Sequence, residues 1–253
     1  MQHQRVEDSA NPESKSKRSM RRGTYCQSMN QKEFNDILVS EFRKKNPAGK
    51  NCAERALNLY FATEGNRYTG SQFEYLVDSA NPNLITPKDL LSVNSLSVDI
   101  PVRVSLWILS NEGQAFISSH LSQVPQDLEI WSDEAEQALG PEGPMIRIWD
   151  ILKTAHWPQP REGNGLGGRT KRSKLLAAKR LHLIPVVDRV VKEVFLGVDD
   201  YWQAFRTALQ NNEIRTEIEL ATASAPPHLS LLRKIDAVIW TSHTEDLHNA
   251  HWE

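Results

Sequence analysis

Residues 163–193 read GNGLGGRTKRSKLLAAKRLHLIPVVDRVVKE, and the fold turns on how this stretch is read. Gly165-Leu166-Gly167 offers two backbone positions free to adopt positive φ around one apolar plug. From Arg169 onward the spacing predicts a helix, with Leu175, Leu176, Ala178 and Leu181 as its core face and Lys171, Arg172 and Lys174 crowded toward its start. Cations there oppose the helix dipole by about 0.3–1 kcal/mol each at most. A bound anion would reverse that sign, because free amides and the dipole both attract negative charge. Pro185-Val186-Val187-Asp188 then turns the chain into a second helix at Arg189. Asp188 is placed there either as the cap of that helix or as a carboxylate opening toward a groove beside the glycines.

Charge is distributed to match. The chain carries 30 Lys/Arg and 32 Asp/Glu over 253 residues. Residues 161–193 hold nine Lys/Arg against three acids, and residues 1–23 hold six against three. The rest of the chain is therefore acidic, and positive charge gathered in one stretch points to a polyanion. The alternative is a solvated helix face.

Outward from this stretch, apolar residues recur at helical spacing. Phe34, Ile37, Leu38 and Phe42 mark a first helix, residues 53–62 a second and residues 72–77 a third. Thr86-Pro87-Lys88-Asp89 is a helix start with a cap, a proline at the first helical position and an acid in the first turn. The run LSVDIPVRVSLWIL alternates briefly and could form a strand, but its helical surroundings favour a helix from Pro101 to Leu109. Further helices are expected over 113–121, 133–139, 145–152, 201–209, 214–221 and 229–240. The fold class is all-α. Residues 31–242 form a single mostly helical domain, or two lobes of one, with the hairpin element at 163–196. Residues 1–30 are too polar to offset their ordering entropy and read as a disordered basic arm, and residues 243–253 as a polar tail.

Several functions are excluded or weakened. No apolar run approaches the roughly 20 residues of a membrane helix. The N-terminus lacks the apolar core of a secretory signal. Cys26 and Cys52 make no disulfide framework. A cytoplasmic protein without membrane, metal or cofactor is expected. GxGxxG and GKS/T are incomplete and no strand precedes the glycines, which disfavours a dinucleotide or P-loop site. His243, His248 and His251 could hold a metal only if the tail folded back.

The order Gly165-x-Gly167-x-x-Thr170, an aliphatic helix, then Pro185-x-x-Asp188-x-x-Val191 resembles the helix–hairpin–helix DNA glycosylase superfamily. That family pairs a GVGxxTA hairpin with a catalytic aspartate in a PxxD turn. Here 23 positions separate Gly165 from Asp188, one more than in the family, and PVVDRVVKEV is especially similar to the adenine-glycosylase form. From Tyr68 to about His243 the chain also resembles a bacterial family of uncharacterised proteins. Its phrases look like YTGxxFE, TPKDLLSVxxLSV, SKLLAAKRxxLIPVxD and LRxxDxxIW.

The glycosylase resemblance implies a helix–hairpin–helix glycosylase-like fold. It also implies that Gly165, Gly167, Arg169, Thr170, Lys171, Arg172 and Lys174 grip duplex DNA, with Asp188 as the catalytic carboxylate acting on a flipped base. Trp157, in the loop before the hairpin, is the candidate to stack on a base. The lysine of bifunctional members falls at Arg169, and Lys171 is the nearest substitute, which disfavours Schiff-base chemistry. Three classes follow: a DNA binder without chemistry, a base-excision enzyme using Asp188, and a protein-interaction module retaining only the fold.

Overall fold

Helix formation begins where a capping asparagine precedes the first apolar face. Asn30 accepts from the Glu33 amide, and Glu33 accepts in return from the Asn30 amide, both at 3.0 Å. This reciprocal box starts α1 (Gln31–Arg43). Phe34 of α1 stacks on Phe195 at 4.4 Å and meets Phe205 edge-on at 5.0 Å. The computed structural model describes residues 28–62 and 68–244. Most of the expected N-terminal arm and of the polar tail, with Cys26, His248 and His251, lies outside the described residues. Residues 28–30 belong to the domain, since Met29 donates from its backbone to Gly197 O at 3.0 Å.

The remaining helices follow local signals. Asn51 caps α2 (Cys52–Tyr60). A 3-10 turn (Thr69–Gln72) runs into the short α3 (Phe73–Leu76), and α4 (Pro87–Ser95) begins at the Thr-Pro-x-Asp start. Residues after Pro101 form α5 (Val102–Ile108), not a strand, and α6 (Asn111–Leu121) is capped by Ser110. Then come α7 (Glu134–Leu139), α8 (Pro144–Thr154), α9 (Arg169–Ala177) and α10 (Arg189–Val194). The chain continues through α11 (Tyr201–Gln210), α12 (Asn212–Ala221) and α13 (Leu231–Ser242). Asn211, just after α11, caps α12 by accepting from the Glu213 and Ile214 amides. Among the described residues there is no strand, only an isolated bridge between Lys45 and Asn51. The all-α expectation holds.

One hydrophobic cluster runs from Phe34 on α1 to Ile239 on α13. Helix α13 packs on α2 and α10, while α9 lies between α4 and α8. That position corrects the reading of α9 as an amphipathic basic helix. Every residue from Arg172 to Ala177 is buried, so α9 has no solvated stripe beyond its first turn. No helix among the described residues is long and apolar enough to cross a membrane.

Candidate functional site

The glycine turn is built by close approach rather than by unusual dihedrals. Positive φ occurs at Gly163, Gly49 and Gly197, but not at Gly165 or Gly167. Gly165 instead rests on the end of α8. Its amide donates to Lys153 O at 3.2 Å, and the Leu166 amide to Leu152 O at 2.7 Å. A Cβ on Gly165 would collide with the Lys153 carbonyl and come within 2.5 Å of Leu152 O. Leu166 is buried as the apolar plug. These two amides therefore complete α8, whose last carbonyls need donors, and are not free for an anion. Gly167 and Gly168 face open space, and α9 starts without a side-chain cap.

Four of the nine basic residues in 161–193 are buried: Arg172, Lys174, Lys179 and Arg180. Each donates to backbone carbonyls of other elements or of the loops between them, and for Lys174 and Arg180 these include helix ends, where partial negative charge collects. Lys174 Nζ donates to Leu96 O, at the C-cap of α4, at 2.7 Å. Arg180 donates to Val124 O at 3.0 Å, to Pro82 O at 2.8 Å and to Leu121 O at the end of α6. Burial pushes the Arg180 guanidinium down to about 10. Lys179 forms a 2.7 Å ion pair with the fully buried Asp89 and donates to Asp78 O and Asn81 O. Arg172 lies 4.1 Å over the Trp149 ring and donates to Trp149 O at 3.3 Å. Arg172 and Lys174, expected to grip a phosphate backbone, are both buried, with their charged ends on the Trp149 and Leu96 carbonyls. Arg169 is exposed and donates to Asp199 O at 2.9 Å, Lys171 is half-buried, and Thr170 accepts from Lys192 Nζ at 3.0 Å.

Asp188 is the N-cap of α10, its Oδ1 accepting from the Val191 amide at 3.1 Å. No described residue donates a hydrogen bond to Oδ2. The carboxylate lines a cavity of about 350 Å³ together with Thr170, Lys174, Arg189 and Asp236. Tyr60, Tyr68 and Trp240 form its aromatic side. Tyr60 and Tyr68 stack at 5.4 Å, and Trp240 meets both edge-on at 5.7 and 5.1 Å.

Behind the rings, Arg233 organises the floor. It donates to Glu74 Oε1 at 2.9 Å, Tyr60 OH at 3.0 Å, Gly70 O at 2.7 Å and Asp236 Oδ2. Gly70 is required at that spot, since a Cβ would overlap the Tyr60 hydroxyl. Burial pushes the Asp236 carboxyl up to about 6; Arg233 pulls against this, and Asp188 adds to it. Burial also lowers the Lys174 ammonium, against the pull of Asp236 and Asp188. Two carboxylates and one lysine thus share a partly enclosed, ring-lined space. Perturbed groups converging in a cavity of this size mark a candidate binding or catalytic site.

Among the residues singled out in the sequence, Asp188, Lys174 and Thr170 come together here. Gly165, Arg172 and Trp157 do not line the cavity. Trp157 is 47% exposed, with its backbone amide on Arg103 O at 2.9 Å. Asp236, Tyr60, Tyr68 and Trp240 were missed. Their only signal was that most of them fall in or beside the phrases YTGxxFE and LRxxDxxIW. Burial pushes the Cys52 thiol up, as for an unreactive side chain. Among the described residues no cluster could hold a metal ion.

The chain belongs to a family of unknown function, DUF6308, which matches residues 53–243. No curated protein matches it. No solved structure matches it either.

Proposed function

We propose that the chain binds duplex DNA along the edge formed by the starts of α9 and α10, and receives one base in the cavity beneath Asp188. The observation that carries this reading is the adjacency of two features. A cavity with three aromatic rings opens beside exposed cations, with Arg189 and Thr170 at its mouth. Arg189 is 84% exposed, and its 3.5 Å contact with Glu193 lies in solvent, where such pairs contribute little. Arg169, Lys171 and Lys192 surround the same edge and offer a sequence-independent grip on phosphates. Bases stack on aromatic side chains for about 1–3 kcal/mol each. The order of glycine turn, helix and aspartate-capped helix adds the resemblance to helix–hairpin–helix glycosylases.

Fluorescence anisotropy with a labelled duplex at several salt concentrations tests this. Each phosphate contact contributes about −0.9 to the slope of log K against log salt. The double variant Lys171→Ala/Arg189→Ala should bind more weakly and lose about 1.8 from the magnitude of that slope. Unchanged binding in the double variant, or no binding at low salt, would refute the edge.

Asp188 favours a second reading, hydrolysis of the bond between base and sugar. Its Oδ1 is committed to the α10 cap, while Oδ2 accepts no hydrogen bond from a described residue. A buried carboxylate facing the sugar would stabilise the positive charge that develops as the base departs. Asparagine caps helices about as well as aspartate. Asp188→Asn should therefore keep stability and DNA binding but abolish base release. Base release that survives in the variant would exclude the carboxylate.

A further inference from the structure

We infer that the cavity selects a nitrogen heteroaromatic ring bearing an amino group beside an unprotonated ring nitrogen, and that Asp236 sets this preference. The inference rests on the cavity being a base-binding site and adds the kind of base. It stands on the placement of five charged side chains around one floor. Asp236, on α13, is 6% exposed and lines the cavity. Its Oδ2 accepts from Arg233 Nη1, and Arg233 is otherwise taken up by Glu74, Tyr60 and Gly70. Arg233 can therefore fix Asp236 in place but has little left to offer a ligand. Lys174, from α9, and Asp188, from the cap of α10, line the same cavity as Asp236. Tyr60 on α2 and Glu74 on α3 complete the set around Arg233.

Among the described residues, three buried carboxylates (Glu74, Asp188, Asp236) thus stand with two buried cations (Lys174, Arg233), while the third cation of the lining, Arg189, is 84% exposed to solvent. A buried carboxylate without a matching cation is costly unless a donor reaches it. An exocyclic amino group supplies that donor. Lys174 has three N–H bonds and uses one on Leu96 O, so it can donate to a neighbouring ring nitrogen. The complementary ligand edge is an amino group next to a ring nitrogen, as in adenine or cytosine. Thymine and uracil present carbonyl oxygens on both sides of their ring N–H, and these would face the carboxylates. Purine keeps the ring nitrogens but lacks the amino group. The raised Asp236 pKa, about 6, adds a pH signature. The preference is present at neutral pH and fades as Asp236 takes up a proton below that value.

Calorimetric titration of the full chain with adenine, purine and thymine at pH 7.5 and 5.0 tests the inference, alongside Asp236→Asn. A hydrogen bond to a charged group is strong enough for about tenfold tighter binding of adenine than of purine or thymine at pH 7.5. The gap should shrink to within about threefold at pH 5.0, and at both pH values in Asp236→Asn. Purine or thymine binding as tightly as adenine overturns the inference, as does a gap that persists in the variant. If the variant does not fold, the wild-type comparison decides: a gap unchanged at pH 5.0 overturns it. Duplex DNA binding is measured in parallel. If duplex binds and no free base does, the cavity preference falls while the DNA-binding edge stands; if neither binds, both fall.

Discussion

Replacing Gly165 with alanine separates two readings of the glycine turn. If the turn existed to present amides to an anion, Gly165→Ala and Gly167→Ala would do similar damage, and mainly to binding. The geometry says otherwise. A Cβ on Gly165 collides with the Lys153 carbonyl and crowds Leu152 O, whereas one on Gly167 meets nothing within 4 Å. Both of the atoms in the way are backbone at the end of α8, so no side chain can swing aside. The turn must lift off α8, weakening the Gly165-to-Lys153 and Leu166-to-Leu152 hydrogen bonds and drawing Leu166 from its buried site. Overpacking costs about 1–3 kcal/mol, and two weakened hydrogen bonds add about 1–3 kcal/mol. Gly165→Ala should therefore destabilise the chain by about 2–6 kcal/mol, seen as a lower urea midpoint at unchanged slope. Gly167→Ala should stay within about 0.5 kcal/mol of the wild type. Equal stability of the two variants would refute the account of this turn.

Two further outcomes follow from the buried charges. Lys179→Met leaves Asp89 buried without its cation and should cost about 3–5 kcal/mol in chemical denaturation; a loss below about 1 kcal/mol would show that the backbone donors on Asp89 suffice alone. Asp236 carries a raised folded-state pKa, about 6 against an ordinary 3.8, so the folded chain holds that proton more tightly than the unfolded chain does. Its contribution to stability is fully present below about 3.8 and is lost as pH rises through about 6, on the order of 3 kcal/mol in total. Relative to Asp236→Asn, wild-type stability should fall between pH 4 and 7, and a difference that stays constant with pH would contradict the buried carboxylate.

The helices were legible because their signals are local. Thr86-Pro87-x-Asp89 announces α4, and Asp188 announces α10, each through a cap within three residues of its partner. The role of the basic residues was not legible, because what satisfies them is distant. Lys174 reaches Leu96 across 78 positions and Arg180 reaches Pro82 across 98. A lysine that serves the carbonyl end of another helix reads, in sequence, like one that serves a phosphate. The cavity was less legible still, since Arg233 meets Tyr60 and Gly70 across 173 and 163 positions. Even so, the phrases YTGxxFE, SKLLAAKRxxLIPVxD and LRxxDxxIW supply Gly70, Glu74, Lys174, Asp188, Arg233, Asp236 and Trp240 to one place. Periodicity assigned each phrase to a helix, but only the packing of α13 on α2 and α10 shows that they share a site.

The most direct test of the cavity as a base site is the fluorescence of 2-aminopurine placed within a duplex. Stacking quenches the probe, so with 2-aminopurine placed next to the extruded base, loss of that stacked neighbour into the cavity should raise its emission on binding, and Trp240→Ala should reduce the rise. Binding that leaves the emission at the level of free duplex would mean that no base leaves the stack, and would contradict the proposed use of the cavity.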